Sequence, residues 1–90
     1  MRRFSLGAVV ATPGALEVLG NLEVSPSELV ERHASGDWGD VPPEDARENE
    51  LALERGFSVM SSYPLPGGVC VWILTEADRS STCILLPAEY

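Results

Sequence analysis

The chain predicts an α+β fold, with two to three helices packed on an antiparallel sheet of three to four strands, and three observations carry that expectation. Proline-marked helix starts, "TPGAL", "SPSEL" and "PPEDA", fill the first half of the chain. From Phe57 onward the character turns to β, in "FSVMSSY", "VCVWILT" and "STCILL". The connections between those stretches, "PLPGG" and "EADRS", are short enough for hairpins, which makes a C-terminal β-meander. At 90 residues the chain makes one domain, residues 1–90, because a chain of this size buries one modest core.

The elements follow in order. Phe4 to Ala11 reads as a short strand on the strength of Val9 and Val10. Thr12 then caps a helix whose first residue is Pro13, where the missing N–H costs nothing, and the helix runs to Leu19 with Gly20 as its stop. In "VSPSEL", Ser25 and Glu28 are spaced for a capping box, and Val24 and Leu29 for a hydrophobic staple. The second helix is expected to reach Ala34, with Gly36 beyond it. A third helix starts at Pro43 with acids in its first turn and ends at Arg55–Gly56, as the helix dipole favours. Its spacing turns Ala46, Asn49, Leu53 and Phe57 to the core and Glu44, Glu48 and Glu54 to water. In "VCVWILT", both alternating sets are apolar, so this is the central strand. Helices cover one of its faces; a second copy of the chain or the N-terminal segment covers the other.

Composition bounds the function. The formal charge is −8, and Glu28, Glu31, Asp37, Asp40, Glu44, Asp45, Glu48, Glu50 and Glu54 face only Arg32 and Arg47 between residues 28 and 54. With no lysine and six arginines, the chain lacks the clustered cations that grip a phosphate backbone, so nucleic acid is disfavoured and a basic protein partner is better matched. The same acids can equally serve as a solvated helical face. Cys70 and Cys83 lie in apolar segments without CxxC spacing and read as buried free thiols, ahead of a cross-strand disulfide or a metal site. The run Leu6–Ala11 is too short for a signal peptide, and no stretch approaches the roughly 18 apolar residues that span a bilayer, so a cytoplasmic, non-membrane protein is expected.

The chemistry-bearing stretches are few. "RHASGDWGD" holds the one histidine. His33 with Asp37 or Asp40 has the makings of an acid–base pair, since imidazole titrates near neutrality and a carboxylate fixes its tautomer. The other reading is a corner: His33 in the last turn of a helix, Gly36 and Gly39 permitting positive φ, and Trp38 anchoring the loop in the core. "TEADRS", with Thr75, Glu76, Asp78 and Arg79, reads as a hairpin turn with a surface ion pair, or as an anion-holding tip beside Arg79. One histidine and two separated cysteines do not make a metal site, and phosphate-cradling or nucleophile-elbow motifs are absent, so no metal and no cofactor are expected.

The combination "GDWG", "TEADRS" and "LLPAEY" resembles a group of small uncharacterised proteins carried on bacterial plasmids, prophages and integrative elements, over nearly the whole chain. The architecture is more distantly similar to barnase- and RelE-like small ribonucleases. That second resemblance implies His33, Thr75, Asp78, Arg79 and Thr82 near an RNA cleavage site, although such enzymes are usually basic and this chain is acidic. The function expected is that of a non-enzymatic accessory protein of a mobile element. It binds a basic protein through an acidic helical face on which Glu44, Asp45, Glu48, Glu54 and neighbouring Trp38 are the binding candidates. A homodimer is compatible with it, and an RNA-cleaving enzyme using His33 and Arg79 is the alternative.

Overall fold

Proline in the first turn sets where each helix begins. In the computed structural model, which describes residues 1–90, α1 spans Pro13–Asn21, α2 Pro26–Ala34 and α3 Pro43–Arg55. Thr12 caps α1 by accepting the Ala15 N–H at 3.2 Å, and Gly56 ends α3 in the left-handed conformation. The expected capping box at α2 does not form. The Ser25 hydroxyl pairs with the Ser27 hydroxyl at 2.9 Å instead, leaving no side-chain cap, while Val24 and Leu29 both join the core as the staple spacing implies.

The second half forms β2 (Val59–Pro64), β3 (Cys70–Thr75) and β4 (Ser81–Leu85), an antiparallel meander in which β3 is central to the hairpins. The strand β1 (Ala8–Ala11) corrects the expectation of a purely antiparallel sheet. It lies parallel to β4, giving the order β1-β4-β3-β2 and a mixed sheet. The meander leaves the outer edge of β4 open, and the helical connection returns the chain from β1 to the far side of the sheet, so the first strand fills that edge in the parallel sense. The fold is thus three helices on a four-stranded mixed sheet, α+β. None of the helices is long and apolar enough to cross a membrane.

All three helices pack on one face. Val59, Ser61, Tyr63, Val71, Ile73, Thr75, Thr82 and Ile84 point there and are almost fully buried, meeting Ala15 and Leu19 of α1 and Leu29, Val30 and Ala34 of α2. The inward residues of α3 are Asn49 and Ala52, with Ala46 and Leu53 partly covered; Phe57, expected inside, is 59% exposed because the left-handed Gly56 turns the chain away from the core.

Sheet edges are treated unequally. On β2, Met60 N–H donates to Asn49 Oδ1 at 3.2 Å, and Asn49 Nδ2 donates to Met60 O at 2.8 Å, so one side chain stands in for a neighbouring strand. Ser62 is closed by Trp38 O and the Asp40 N–H. Such cover keeps an edge from recruiting other chains.

Candidate functional site

His33 comes from the last turn of α2 and is entirely buried, with 0% exposure. Its Nδ1 lies 2.5 Å from Ser61 Oγ on β2, and its Nε2 lies 2.9 Å from Thr75 Oγ1 on β3. Thr75 Oγ1 is 2.7 Å from Thr82 Oγ1 on β4, whose hydroxyl donates to Leu6 O at 2.8 Å. A carbonyl only accepts, and this fixes the direction of the chain as far as His33 Nε2, the neutral imidazole fixing the last link. Thr82 donates to Leu6, so Thr75 donates to Thr82; His33 Nε2–H donates to Thr75, and the Ser61 hydroxyl donates to Nδ1. Every proton is placed with imidazole neutral.

Burial in this network, and next the positive charge of Arg79, depress the His33 pKa to about 4. Phe4 packs edge-on to the ring at 5.3 Å and Trp38 at 5.9 Å, sealing it from solvent. Three of the five residues expected near a cleavage site, His33, Thr75 and Thr82, are therefore contiguous, inside the core. Ser61 is the member sequence reasoning missed. Its signal was its phase: in β2 it alternates in step with Val59 and Tyr63, so it faces the helices with them.

Arg79 stacks on Phe4, its guanidinium 5.5 Å above that ring, and its charge is felt at His33, but neither residue lines a cavity. Its Nη1 donates to the carbonyls of Phe57 at 2.8 Å, Glu76 at 3.0 Å and Ala77 at 3.2 Å, and its Nη2 to Ala52 O at 3.4 Å. These are the exit carbonyls of α3 and of the hairpin, where a cation is favoured. Asp78 accepts the Ser80 N–H at 2.9 Å and shapes the same turn; the Ser80 side chain first, and then this N–H, hold its carboxyl below the usual range. The five residues expected near a cleavage site, His33, Thr75, Asp78, Arg79 and Thr82, thus spend their hydrogen bonds on the fold. A substrate phosphate reaches His33 only if the core opens.

The loop "SGDWGD" is a built corner. Asp37 accepts Arg32 Nε at 2.7 Å and the Gly39 N–H at 3.2 Å, and Arg32 above all lowers its pKa. Tyr63 O–H donates to Asp37 O at 2.6 Å, with Arg32 stacked 4.5 Å above the Tyr63 ring. Trp38 is buried, not displayed, and its Nε1–H donates to Glu50 Oε2 at 3.0 Å. Glu50, also missed from sequence, grips Arg3 through two bonds of 2.9 and 2.8 Å and so ties the N-terminus, the corner and α3 together. Gly39 has φ +77°, and a Cβ there would fall onto the Ser62 carbonyl.

The remaining binding candidates lie on the outer side of α3. Glu44, Asp45, Glu48 and Glu54 are exposed, and the three ion pairs of the molecule, Arg2–Glu31, Arg3–Glu50 and Arg32–Asp37, include none of them. Asp45 and Glu48 line a groove of about 250 Å³ between α3 and the edge of β2, walled by Val41 and Met60 and floored by Asn49. Leu51, 37% exposed, lies three residues beyond Glu48 on the same helix. His, Cys, Asp and Glu residues nowhere converge as a set of three or more around a metal-sized space, and both cysteines are free thiols, partly buried. Comparison of the chain with family models, with curated proteins and with solved structures finds no match.

Proposed function

We propose that this chain is a non-enzymatic accessory protein of a mobile genetic element that works in the cytoplasm by binding a basic protein through the acidic outer face of α3. One observation carries the reading: Glu44, Asp45, Glu48 and Glu54 stand exposed on one helix, and none is neutralised by an internal ion pair. Glu31, Asp37 and Glu50, by contrast, each hold an arginine. The groove gives the face a shape as well as a charge. A lysine or arginine of the partner lays its methylene stem against Val41 and Met60 and sets its charged end between Asp45 and Glu48. Leu51 supplies an apolar contact beside it.

Charge steering of this kind speeds encounter and weakens as salt rises. The test is capture of proteins on immobilised wild-type chain and on the triple variant Glu44→Lys, Glu48→Lys, Glu54→Lys, in low and high salt and after nuclease treatment. A basic protein held by the wild type, lost on the variant and released by salt supports the reading. Equal retention on both forms removes it.

A further inference from the structure

The segment before β1 is held as a bound peptide would be. In "RRF", Arg2 donates through Nε and Nη2 to Glu31 Oε1 at 3.1 and 2.6 Å, and Arg3 sets Nη1 and Nη2 on the two oxygens of Glu50 at 2.9 and 2.8 Å. Phe4 fills a slot with walls from three elements. His33 of α2 meets the ring edge-on at 5.3 Å, Trp38 of the corner stacks on it at 6.2 Å, and the Arg79 guanidinium of the β3–β4 hairpin lies 5.5 Å over it. His33 bonds Ser61 and Thr75, Trp38 bonds Glu50, and Arg79 bonds four carbonyls, so each wall has a hold on the fold that does not involve Phe4. The segment itself is fastened lightly. Residues 1 to 6 make one backbone–backbone hydrogen bond, from Arg3 N–H to Ala34 O at 2.7 Å. The side chains of both ion pairs are 42 to 56% exposed and open to screening by salt. Only at Leu6, buried and accepting from Thr82, does the chain become fixed.

We propose that residues 2–4 are a resident stand-in for the partner, displaced by an extended Arg-Arg-aromatic segment of a basic protein that sets its arginines on Glu31 and Glu50 and its ring in the Phe4 slot. The occupant is read from what fills the place now. Two guanidiniums match two carboxylates, and the next residue brings a ring that lies between a cation and an indole. Exchange of this kind leaves neither acid unpaired and His33 still covered, because the incoming residues make the same contacts as those they replace. Gly36 belongs to the site as well: a Cβ there would meet the Arg3 guanidinium, so its absence lets the arginine pass close to the corner. A short tether keeps the resident segment at an effective concentration of roughly millimolar. It therefore holds the site against weak ligands and yields to a partner already anchored elsewhere, as on the outer face of α3. The assignment rests on the proposed function only in taking the partner to be basic; its acids, Glu31 and Glu50, are not those of the outer face.

Fluorescence anisotropy of a labelled peptide with the sequence of residues 1–6, added to the full chain, reads the site. It is titrated with wild type and with the emptied variant Arg2→Ala, Arg3→Ala, Phe4→Ala, circular dichroism establishing that each is folded. The emptied variant is expected to bind at least about 10-fold more tightly than wild type, whose own segment competes. Adding Glu50→Gln, which keeps an acceptor for Trp38, weakens that binding about 10-fold, and a peptide carrying Arg2→Glu and Arg3→Glu does not bind. Should the emptied variant fail to fold, Arg2→Ala with Arg3→Ala, which leaves Phe4 in place, takes its position and is expected to bind more tightly than wild type. No gain over wild type in the folded variant overturns the proposal, as does binding that Glu50→Gln leaves unchanged. Glu44→Lys, Glu48→Lys and Glu54→Lys together in the emptied chain separate this site from the outer face of α3. At physiological salt, which screens charges beyond about 8 Å, peptide binding is expected to persist. Its loss assigns the peptide to the outer face, which overturns this proposal and leaves the proposed function standing.

Discussion

The buried imidazole makes stability depend on pH. His33 is neutral when folded, with its pKa lowered from 6.5 to about 4, so protonation favours the unfolded chain. Its contribution is complete above about pH 6.5 and is lost as pH falls towards 4. At pH 5 the unfolded histidine is almost fully protonated and the folded one about one-tenth so, which costs about 2 kcal/mol; the limit below pH 4 is about 3 kcal/mol. A domain of this length has roughly 5 to 13 kcal/mol in hand, so the loss is a sizeable fraction. Urea unfolding at pH 7, 6 and 5 reads it as a fall of about 1 to 2 M in midpoint at constant m. His33→Gln is less stable at pH 7 but lacks the titration, and its stability is expected to stay nearly level between pH 7 and 5. Carboxylates held low by their partners, among them Asp37 and Glu50, weaken both proteins equally at still lower pH and cancel in the difference. Parallel pH profiles for wild type and His33→Gln would refute the neutral, fully donated network.

Further substitutions probe the surrounding structure. Gly39→Ala forces a Cβ into the Ser62 carbonyl at a positive φ and is expected to cost at least about 2 kcal/mol in chemical denaturation, more than any alanine on the exposed side of α3. Arg79→Ala removes donors from four carbonyls and should destabilise by about 1 to 3 kcal/mol, with Arg79→Lys restoring only part, because an ammonium cannot reach all four at once; thermal melts give the order. Asn49→Leu leaves the Met60 N–H and carbonyl unpaired on an edge strand. It is expected to lower stability by about 1 to 3 kcal/mol and to raise light scattering during refolding.

Local signals were legible and non-local ones were not. Pro13, Pro26 and Pro43 mark three helix starts, Gly56 marks a stop, and the short turns mark the meander, because each depends on neighbours a few residues away. The parallel pairing of β1 with β4 joins residues more than seventy positions apart, and nothing in "AVVA" states its direction. His33 and its partners show the same division. The "RHASGDWGD" pattern supports either an acid–base site or a corner, and the decision rests on Ser61, Thr75 and Thr82, which only the folded sheet brings to it. The phase of the strands carried part of the answer. Thr75 alternates in step with Val71 and Ile73, and Thr82 with Ile84, so both hydroxyls face inward with the core. Acidity on α3 was legible as composition, but its shape was not: the groove needs Val41 and Met60 brought beside Asp45 and Glu48 by the packing of α3 on β2.

The central claim, that the protein acts through the α3 surface and keeps His33 and Arg79 for its fold, meets its most direct test in one side-by-side experiment. Wild type, His33→Gln with Arg79→Lys, and the α3 charge-reversal variant are each immobilised, and bound protein and RNA integrity are measured under conditions where all three are folded. The account predicts that a basic protein binds the first two and not the third, and that added RNA remains uncut by all. RNA cut by the wild type and spared by the His33 and Arg79 variant would contradict it.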